Sequence, residues 1–133
     1  MGYLLDTHGL LWALFSPEKL SVKARKTIED SQQSVGVSSV SFWEISIKSA
    51  LERLTLPKTS PEELPSATRD LGLQIIDPSA DLFASFHRLP LAEGHRDPFD
   101  RLLIWTALQR NLTLISKDRR MSGYSNQGLQ LLW

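Results

Sequence analysis

Four carboxylates occupy positions from which they could bind a ligand together. Asp6 follows an apolar segment, residues 2–5, that predicts a short buried strand, and Asp118 lies just beyond a second such segment, residues 112–116. In parallel α/β sheets, ligands bind beyond the carboxyl ends of the strands. Taken singly, Asp6 could instead cap the next helix and Asp118 could be an ordinary turn residue.

Glu44 lies within an apolar stripe of a helix predicted over about residues 40–54. The stripe consists of Val40, Trp43, Ile47, Ala50, Leu51 and Leu54, whereas Lys48, Glu52 and Arg53 are expected to project away from it. A carboxylate directed into a core is costly unless it is paired, protonated or bound to a cation. Glu44 is therefore a candidate metal ligand, and a basic partner from elsewhere in the chain is the alternative.

Two further carboxylates open a helix predicted over residues 97–110. Asp97 is the expected N-cap, Pro98 takes the first helical position and Asp100 lies in the first turn. The helix is apolar almost all round, which indicates that it is central. We therefore expect the carboxylate of Asp100 to face inward.

The inward-facing acids belong to four separate elements that a parallel sheet would bring to one edge: Asp6, Glu44, Asp100 and Asp118. Four such carboxylates would repel one another and raise some of their pKa values, and a hard divalent cation would relieve the repulsion. The chain has no cysteine, which excludes thiolate sites. Oxygen ligands alone favour Mg²⁺ or Mn²⁺.

The chain from residue 86 onward carries more basic than acidic side chains. With a metal on the acids, this part would present a cationic surface suited to a polyphosphate, although a merely solvated surface is the alternative. His95 could help to position a phosphate, whereas His8 and His87 are expected to be partly buried residues without a special role. The side chains that could hold flanking phosphates are Arg101, Lys117, Arg119 and Arg120.

Helical and strand patterns alternate along the chain. Helices are predicted over residues 7–15, 21–30, 40–54, 61–71, 79–87 and 97–110, and strands over 2–5, 34–38, 73–76, 112–116 and about 129–133. This alternation predicts an α/β three-layer sandwich in which helices cover a short, mostly parallel sheet on both faces.

Length and composition bound the class of protein. A chain of 133 residues with 41% hydrophobic residues predicts one compact domain over residues 1–133. No apolar run approaches the length that spans a bilayer, and Asp6 interrupts the start of the chain where a signal peptide would be apolar. We therefore expect a cytoplasmic protein without membrane contact.

Four sequence blocks resemble the PIN-domain nucleases, most closely the VapC-type toxins of bacterial toxin–antitoxin pairs. The blocks are Tyr-Leu-Leu-Asp-Thr-His at 3–8, Ser-Phe-Trp-Glu-Ile at 41–45, His-Arg-Asp-Pro-Phe-Asp-Arg-Leu-Leu at 95–103 and Ile-Ser-Lys-Asp-Arg at 115–119. Their order and separations match the family, and the resemblance covers nearly the whole chain.

The resemblance implies an Mg²⁺- or Mn²⁺-dependent endoribonuclease that hydrolyses RNA phosphodiesters as the toxin of such a pair. Asp6, Glu44 and Asp100 correspond to the main metal-binding and catalytic carboxylates, and Asp118 to a fourth, more peripheral one. Asp97 belongs to the motif but is expected to lie next to these ligands without binding the metal itself. The resemblance also implies a small antitoxin that covers the site and a homodimer, for which the apolar residues 10–12 could offer a surface.

Two other functions fit parts of the pattern. Asp6–Thr7 at a strand end suggests a phosphatase that forms an aspartyl-phosphate, but such enzymes usually carry a second Asp two residues on, where this chain has His8. The other alternative is a PIN fold that binds RNA or protein without catalysis, and the presence of all four acids argues against it.

Overall fold

A five-stranded parallel sheet forms the centre of the computed structural model, which describes residues 2–92 and 94–133. The strands are β1 (Tyr3–Leu5), β2 (Val35–Ser38), β3 (Gln74–Ile76), β4 (Thr113–Ile115) and β5 (Leu131–Leu132). Their spatial order is β3-β2-β1-β4-β5, and every pairing is parallel. The α/β fold predicted from the sequence is confirmed.

Alternating side chains of the short strands build a core on each face of the sheet. Leu4 of β1 packs with the helix of residues 98–110 in one cluster, whereas Leu5 packs with Leu10 and Ile45 in the other. Successive side chains of a strand point to opposite faces, so three residues of β1 are enough to anchor both layers. The sheet is therefore enclosed between two helical layers.

The helices surround this sheet. They are α1 (Thr7–Phe15), α2 (Val22–Glu29), α3 (Ser39–Ala50), α4 (Leu64–Asp70), α5 (Ala80–Ser85) and α6 (Pro98–Arg110), and 3₁₀ helices cover Pro17–Lys19, Pro61–Glu63, Phe86–Arg88 and Arg119–Gln127. Most α-helices begin where the sequence predicts, because a capping side chain fixes each start: the predicted cap Ser21 accepts from the backbone N–H of Ala24, for example. No helix among the described residues is long and apolar enough to cross a membrane.

The local structure differs from the prediction at two places. The helix predicted over residues 40–54 ends at Ala50, where the chain turns and Glu52 adopts a positive φ of 57°. The 3₁₀ helix after β4 was not predicted, although Met121 and Tyr124 lie three residues apart and are both buried; its cap is Asp118, whose side chain accepts from the N–H of Arg120. Both differences lie close to residues of the site described below.

The topology sets the place of the site. β1 is the central strand: the chain continues from it to β2 and β3 on one side, and β4 and β5 lie on the other. At such a point the connections leave in opposite directions and open a crevice at the carboxyl ends of the strands. Asp6 directly follows β1 and Ser116 directly follows β4, so both lie at this crevice.

Candidate metal centre

Asp6 is held rigidly at the start of α1. Its Oδ1 accepts from the backbone N–H of Gly9 at 2.7 Å, and its Oδ2 accepts from the hydroxyl of Ser116 at 2.6 Å. The side chain is buried, and this burial raises the pKa of Asp6 despite the two hydrogen bonds. The capping role and the position at the crevice both hold, so they are not alternatives.

Glu44 is buried as predicted, but its surroundings differ from the prediction. The buried face of α3 carries Val40, Ser41, Glu44 and Ile45. Trp43 and Leu51 of the predicted stripe are 62% and 57% exposed, because α3 is rotated from the predicted face and ends early. The Oε1 of Glu44 accepts from the hydroxyl of Thr7 at 2.7 Å.

Lys48 does not project away from Glu44, which corrects a second expectation. Its ammonium lies 2.6 Å from Oε2 of Glu44, one helical turn earlier. Lys48 is 38% exposed, so its stem lies along the helix while its charged end turns inward. The buried carboxylate therefore has a basic partner, but it comes from the same helix and not from elsewhere in the chain, as the alternative reading expected.

Asp97 and Asp100 divide the two roles expected at the start of α6. Asp97 caps the helix, its Oδ1 accepting from the N–H groups of Phe99 at 2.9 Å and Asp100 at 3.3 Å. Asp100 is 18% exposed, and its carboxylate takes no hydrogen bond among those that the described residues show. Burial, together with the negative charges of Asp97, Glu44, Asp6 and Asp118, raises the pKa of Asp100 to about 7.

Asp118 carries its own cation, unlike Asp100. Arg120 donates to it twice, from Nε to Oδ1 at 3.1 Å and from its terminal nitrogen to Oδ2 at 2.9 Å. These hydrogen bonds lower the pKa of Asp118. The Ser116 hydroxyl also accepts from the backbone N–H of Asp118 at 3.1 Å, so one serine links Asp118 to Asp6.

Arg101, expected to hold a phosphate, lies inside the protein. It is 8% exposed, donates to Tyr124 Oη and to the carbonyls of Leu89 and Pro90, and has its guanidinium 5.0 Å from the Phe86 ring centroid. We therefore no longer assign a phosphate contact to it. The reason is tertiary: its partners lie 11 or more residues away in sequence, and no local pattern marks them.

The remaining predicted cations lie at the surface, and one of them, Lys117, lines the crevice. Lys117 and Arg119 are exposed, and the Lys117 ammonium lies 5.7 Å from the ring centroid of Trp12. A cleft of about 270 Å³ is lined by Asp6, His8, Trp12, Lys117 and Asp118. His8 and His87 are exposed rather than partly buried, and His8 faces this cleft. Arg120 is exposed but engaged by Asp118.

The donor set fits a hard divalent cation. The negative charges of the other acids repel the carboxylate of Asp100, and a cation bound between them would relieve this repulsion. His95 lies against these acids: its ring and the carboxylates of Asp100 and Asp118 have ligand-type atoms within 4.8 Å of one another, and its buried Nε2 has no hydrogen-bond partner among the described residues, so the ring either binds the ion or positions a ligand. Burial lowers the pKa of His95, which favours the neutral ring. This proximity of His95 to Asp100 and Asp118 was not predicted from the sequence.

The chain is similar to known proteins over nearly its whole length. The profile of the PIN domain family matches residues 3–126. Ribonuclease VapC22 of Mycobacterium tuberculosis is 31% identical over 133 residues, which covers 98% of this chain and 97% of that protein.

Solved structures resemble the fold. The structure of VapBC2 from Rickettsia felis, bound to a DNA fragment from its promoter, aligns with a TM-score of 0.67 at 19% identity and covers 99% of this chain and 98% of the other. The structure of FitAB bound to the IR36 DNA fragment aligns with a TM-score of 0.64 at 15% identity, with coverages of 98% and 93%.

Proposed function

Because this chain belongs to the PIN domain family, we propose that it is a metal-dependent endoribonuclease that acts as the toxin of a toxin–antitoxin pair. The family membership agrees with the resemblance carried by the four sequence blocks. The observation that carries the proposal is Asp100, which is half-buried close to four other acids, with its pKa raised to about 7. Such a carboxylate is destabilised by its surroundings and becomes favourable once a cation binds.

The proposed ligands are Asp6, Glu44 and Asp100, with Asp118 at the periphery, and the proposed ion is Mg²⁺ or Mn²⁺. When bound, the cation would act as a Lewis acid: it would activate a water molecule for in-line attack and neutralise negative charge that develops on the phosphodiester. The protein holds the ligands in place: Gly9 N–H and the Ser116 hydroxyl orient Asp6, and Thr7 and Lys48 orient Glu44.

The proposed RNA contacts lie on the rim of the crevice. Lys117 lines the cleft beside Asp6, and Arg119 is an exposed cation two residues further along the chain; we assign both to phosphates that flank the cleaved bond. Arg120 is a phosphate ligand only if it releases Asp118, because its guanidinium now donates to that carboxylate twice. The same release would free Asp118 for the cation.

Cleavage of RNA by the purified protein tests the proposal. Wild type, Asp6→Asn and the exposed-loop control Asp77→Asn are incubated with total bacterial RNA in EDTA, and then with Mg²⁺ or Mn²⁺ in excess, and the new RNA ends are mapped. We expect discrete ends from wild type and Asp77→Asn only with the metal, and none from Asp6→Asn. Absence of cleavage with every metal, despite RNA binding, would support a non-catalytic PIN fold, and an acid-labile phosphate on Asp6 would support a phosphatase.

An apolar groove beside the acids supports an antitoxin partner. The groove has a volume of about 260 Å³, and Trp43 and Phe83 on its walls are 62% and 47% exposed. Trp43 precedes Glu44, and Phe99, which packs edge-on against Trp43 at 5.4 Å, precedes Asp100. An antitoxin helix with an apolar face and a basic side chain would cover the groove and neutralise the acids at the same time.

Binding to the product of a small gene adjacent to the gene for this protein tests that partner. Trp43→Ala should weaken the complex at least tenfold, whereas Ala at the exposed Leu71, which is outside the groove, should leave affinity unchanged. Equal affinities of the two variants would place the antitoxin elsewhere.

The proposed toxin also forms a homodimer and acts in the cytoplasm, where it would meet RNA and an antitoxin. Residues 10–12, considered as a dimer surface, are largely packed within the chain: Leu10 is buried, and the Trp12 ring packs at a tilt against that of Trp133, with the ring centroids 5.7 Å apart. Another face must therefore form the dimer, and sedimentation measures whether one exists.

A further inference from the structure

A line of polar side chains crosses the core behind the proposed metal ligands. Arg101 Nε donates to Tyr124 Oη at 3.2 Å, the same hydroxyl lies 3.2 Å from His95 Nδ1, and His95 Nε2 lies 3.6 Å from Asp100 Oδ2. Tyr124 and His95 are each 1% exposed, and their rings pack edge-on at 5.5 Å. Water therefore has little access to these groups.

The hydrogen bonds in this line have a direction. Arg101 can only donate, so the Tyr124 oxygen accepts from it. The hydroxyl proton of Tyr124 then needs an acceptor, and the only one among the described contacts is Nδ1 of His95. If Nδ1 carried a proton, the hydroxyl proton of the buried Tyr124 would have no acceptor among these contacts.

An acceptor at Nδ1 places the proton of the neutral His95 ring on Nε2. This nitrogen is buried, has no hydrogen-bond partner at the present geometry, and lies 3.6 Å from a carboxylate oxygen of Asp100. A small rotation of Asp100 would complete a hydrogen bond from Nε2–H. The opposite tautomer would instead set the lone pair of Nε2 against the carboxylate.

We infer that His95 is a positioning residue: Arg101 and Tyr124 fix its tautomer so that Nε2–H holds the carboxylate of Asp100 for metal binding. This inference deepens the proposed function. It also excludes His95 as a ligand, although its ring lies close enough to Asp100 and Asp118 for that role. A nitrogen that carries a proton has no lone pair for a metal ion.

The tautomer can be read directly by two-bond ¹H–¹⁵N correlation of the ¹⁵N-labelled, metal-free protein. The chain has three histidines, and His8 and His87 are exposed, so they serve as internal references in rapid tautomer exchange. We expect His95 to show a protonated Nε2 and an unprotonated Nδ1. We also expect this pattern to survive addition of saturating Mg²⁺.

Two substitutions test the roles of the two ring nitrogens of His95 independently. The amide of His95→Gln reaches the position of Nε2 and can still donate to Asp100, whereas the shorter His95→Asn reaches only the position of Nδ1, beside Tyr124. We expect His95→Gln to bind Mn²⁺ within about threefold of wild type and His95→Asn to bind about 10- to 100-fold more weakly. Thermal melting in EDTA confirms that both variants are folded, and electron paramagnetic resonance measures free Mn²⁺.

Three results would overturn the inference: a proton on Nδ1 in the metal-free protein, loss of the Nε2 proton on addition of Mg²⁺, or equal Mn²⁺ affinities of the two variants. Neither measurement uses RNA. If the wild type bound no divalent ion, the proposed function would fail while the NMR spectrum still decided the tautomer. If the protein bound Mn²⁺ but cleaved no RNA, the assignment of His95 would stand.

Discussion

Asp100 should destabilise the metal-free protein at neutral and alkaline pH, because its carboxylate is ionised close to other acids. Asp100→Asn keeps the shape of the side chain and removes the charge. We therefore expect this variant to be more stable than wild type in EDTA at pH 8, although most substitutions destabilise. Removal of a charge that is needed only to bind the metal should stabilise the metal-free protein.

The size of the effect follows from the pKa. The folded protein raises the pKa of Asp100 from 3.8 to about 7, a shift of roughly three units, each equivalent to about 1.4 kcal/mol. That gives a ceiling of about 4 kcal/mol. The carboxylate is 18% exposed and water screens part of the repulsion, so we expect about 1–3 kcal/mol.

The sign of the pH dependence is fixed by the same shift. Well below pH 3.8 Asp100 is protonated in the folded and unfolded states, so wild type and Asp100→Asn should be equally stable apart from local contacts, and at pH 4 the difference should still be small. Between pH 4 and 7 the unfolded chain releases the proton while the folded protein keeps it, so wild-type stability falls relative to the variant. Above pH 7 the difference should be constant.

Urea unfolding in EDTA at pH 4, 6 and 8 measures this difference, and the exposed-loop variant Asp77→Asn is the control for loss of one charge. Mg²⁺ at 1,000 times its Kd should reverse the order at pH 8, since an ion that binds only the folded protein then stabilises it by about 4.1 kcal/mol, more than the expected difference. An Asp100→Asn protein that is no more stable than wild type at pH 8, or a difference independent of pH, would refute the electrostatic reasoning.

Three further predictions concern residues around the site. Asp97→Ala removes two capping hydrogen bonds and should lower stability by about 1 kcal/mol in thermal melting, while Asp97→Asn should not; equal losses would exclude capping as the cause. Gly9→Ala would bring a Cβ to 2.5 Å from the buried Leu5 and 2.9 Å from Asp6 Oδ1. It should therefore lower the free energy of unfolding by about 1–3 kcal/mol and weaken Mn²⁺ binding. Normal Mn²⁺ binding would show that the helix can shift freely. Lys117→Ala should weaken RNA binding and lower its dependence on salt by about one unit of slope in log–log plots, and an unchanged slope would remove Lys117 from the phosphate contacts.

Much of the fold could be predicted because the signals are local. Apolar segments of three to five residues alternate with helical patterns, and caps such as Ser21 and Asp97 mark where helices begin. The position of Asp6 and Asp118 after strands was enough to place both at one crevice, since the carboxyl ends of parallel strands share an edge. The tertiary structure was needed to find which side chains these residues contact.

The partners of the charged residues were predicted less well, for two different physical reasons. The pair Glu44–Lys48 has the spacing of four residues that brings helical side chains together, so the sequence contained this signal, but the apolar stripe was assigned to the wrong face. Arg101 and His95 instead meet Tyr124 across 23 and 29 residues, in a segment for which no helix was predicted. No local pattern predicts that contact.

Anomalous scattering from crystals grown with Mn²⁺ tests the central claim most directly, because it locates the ion without reference to any activity. We expect one peak or a close pair of peaks within bonding distance of carboxylate oxygens of Asp6 and Asp100, with Glu44 coordinating directly or through water. A site without manganese at saturating concentration, with Lys48 still on Glu44 and Arg120 still on Asp118, would contradict the account.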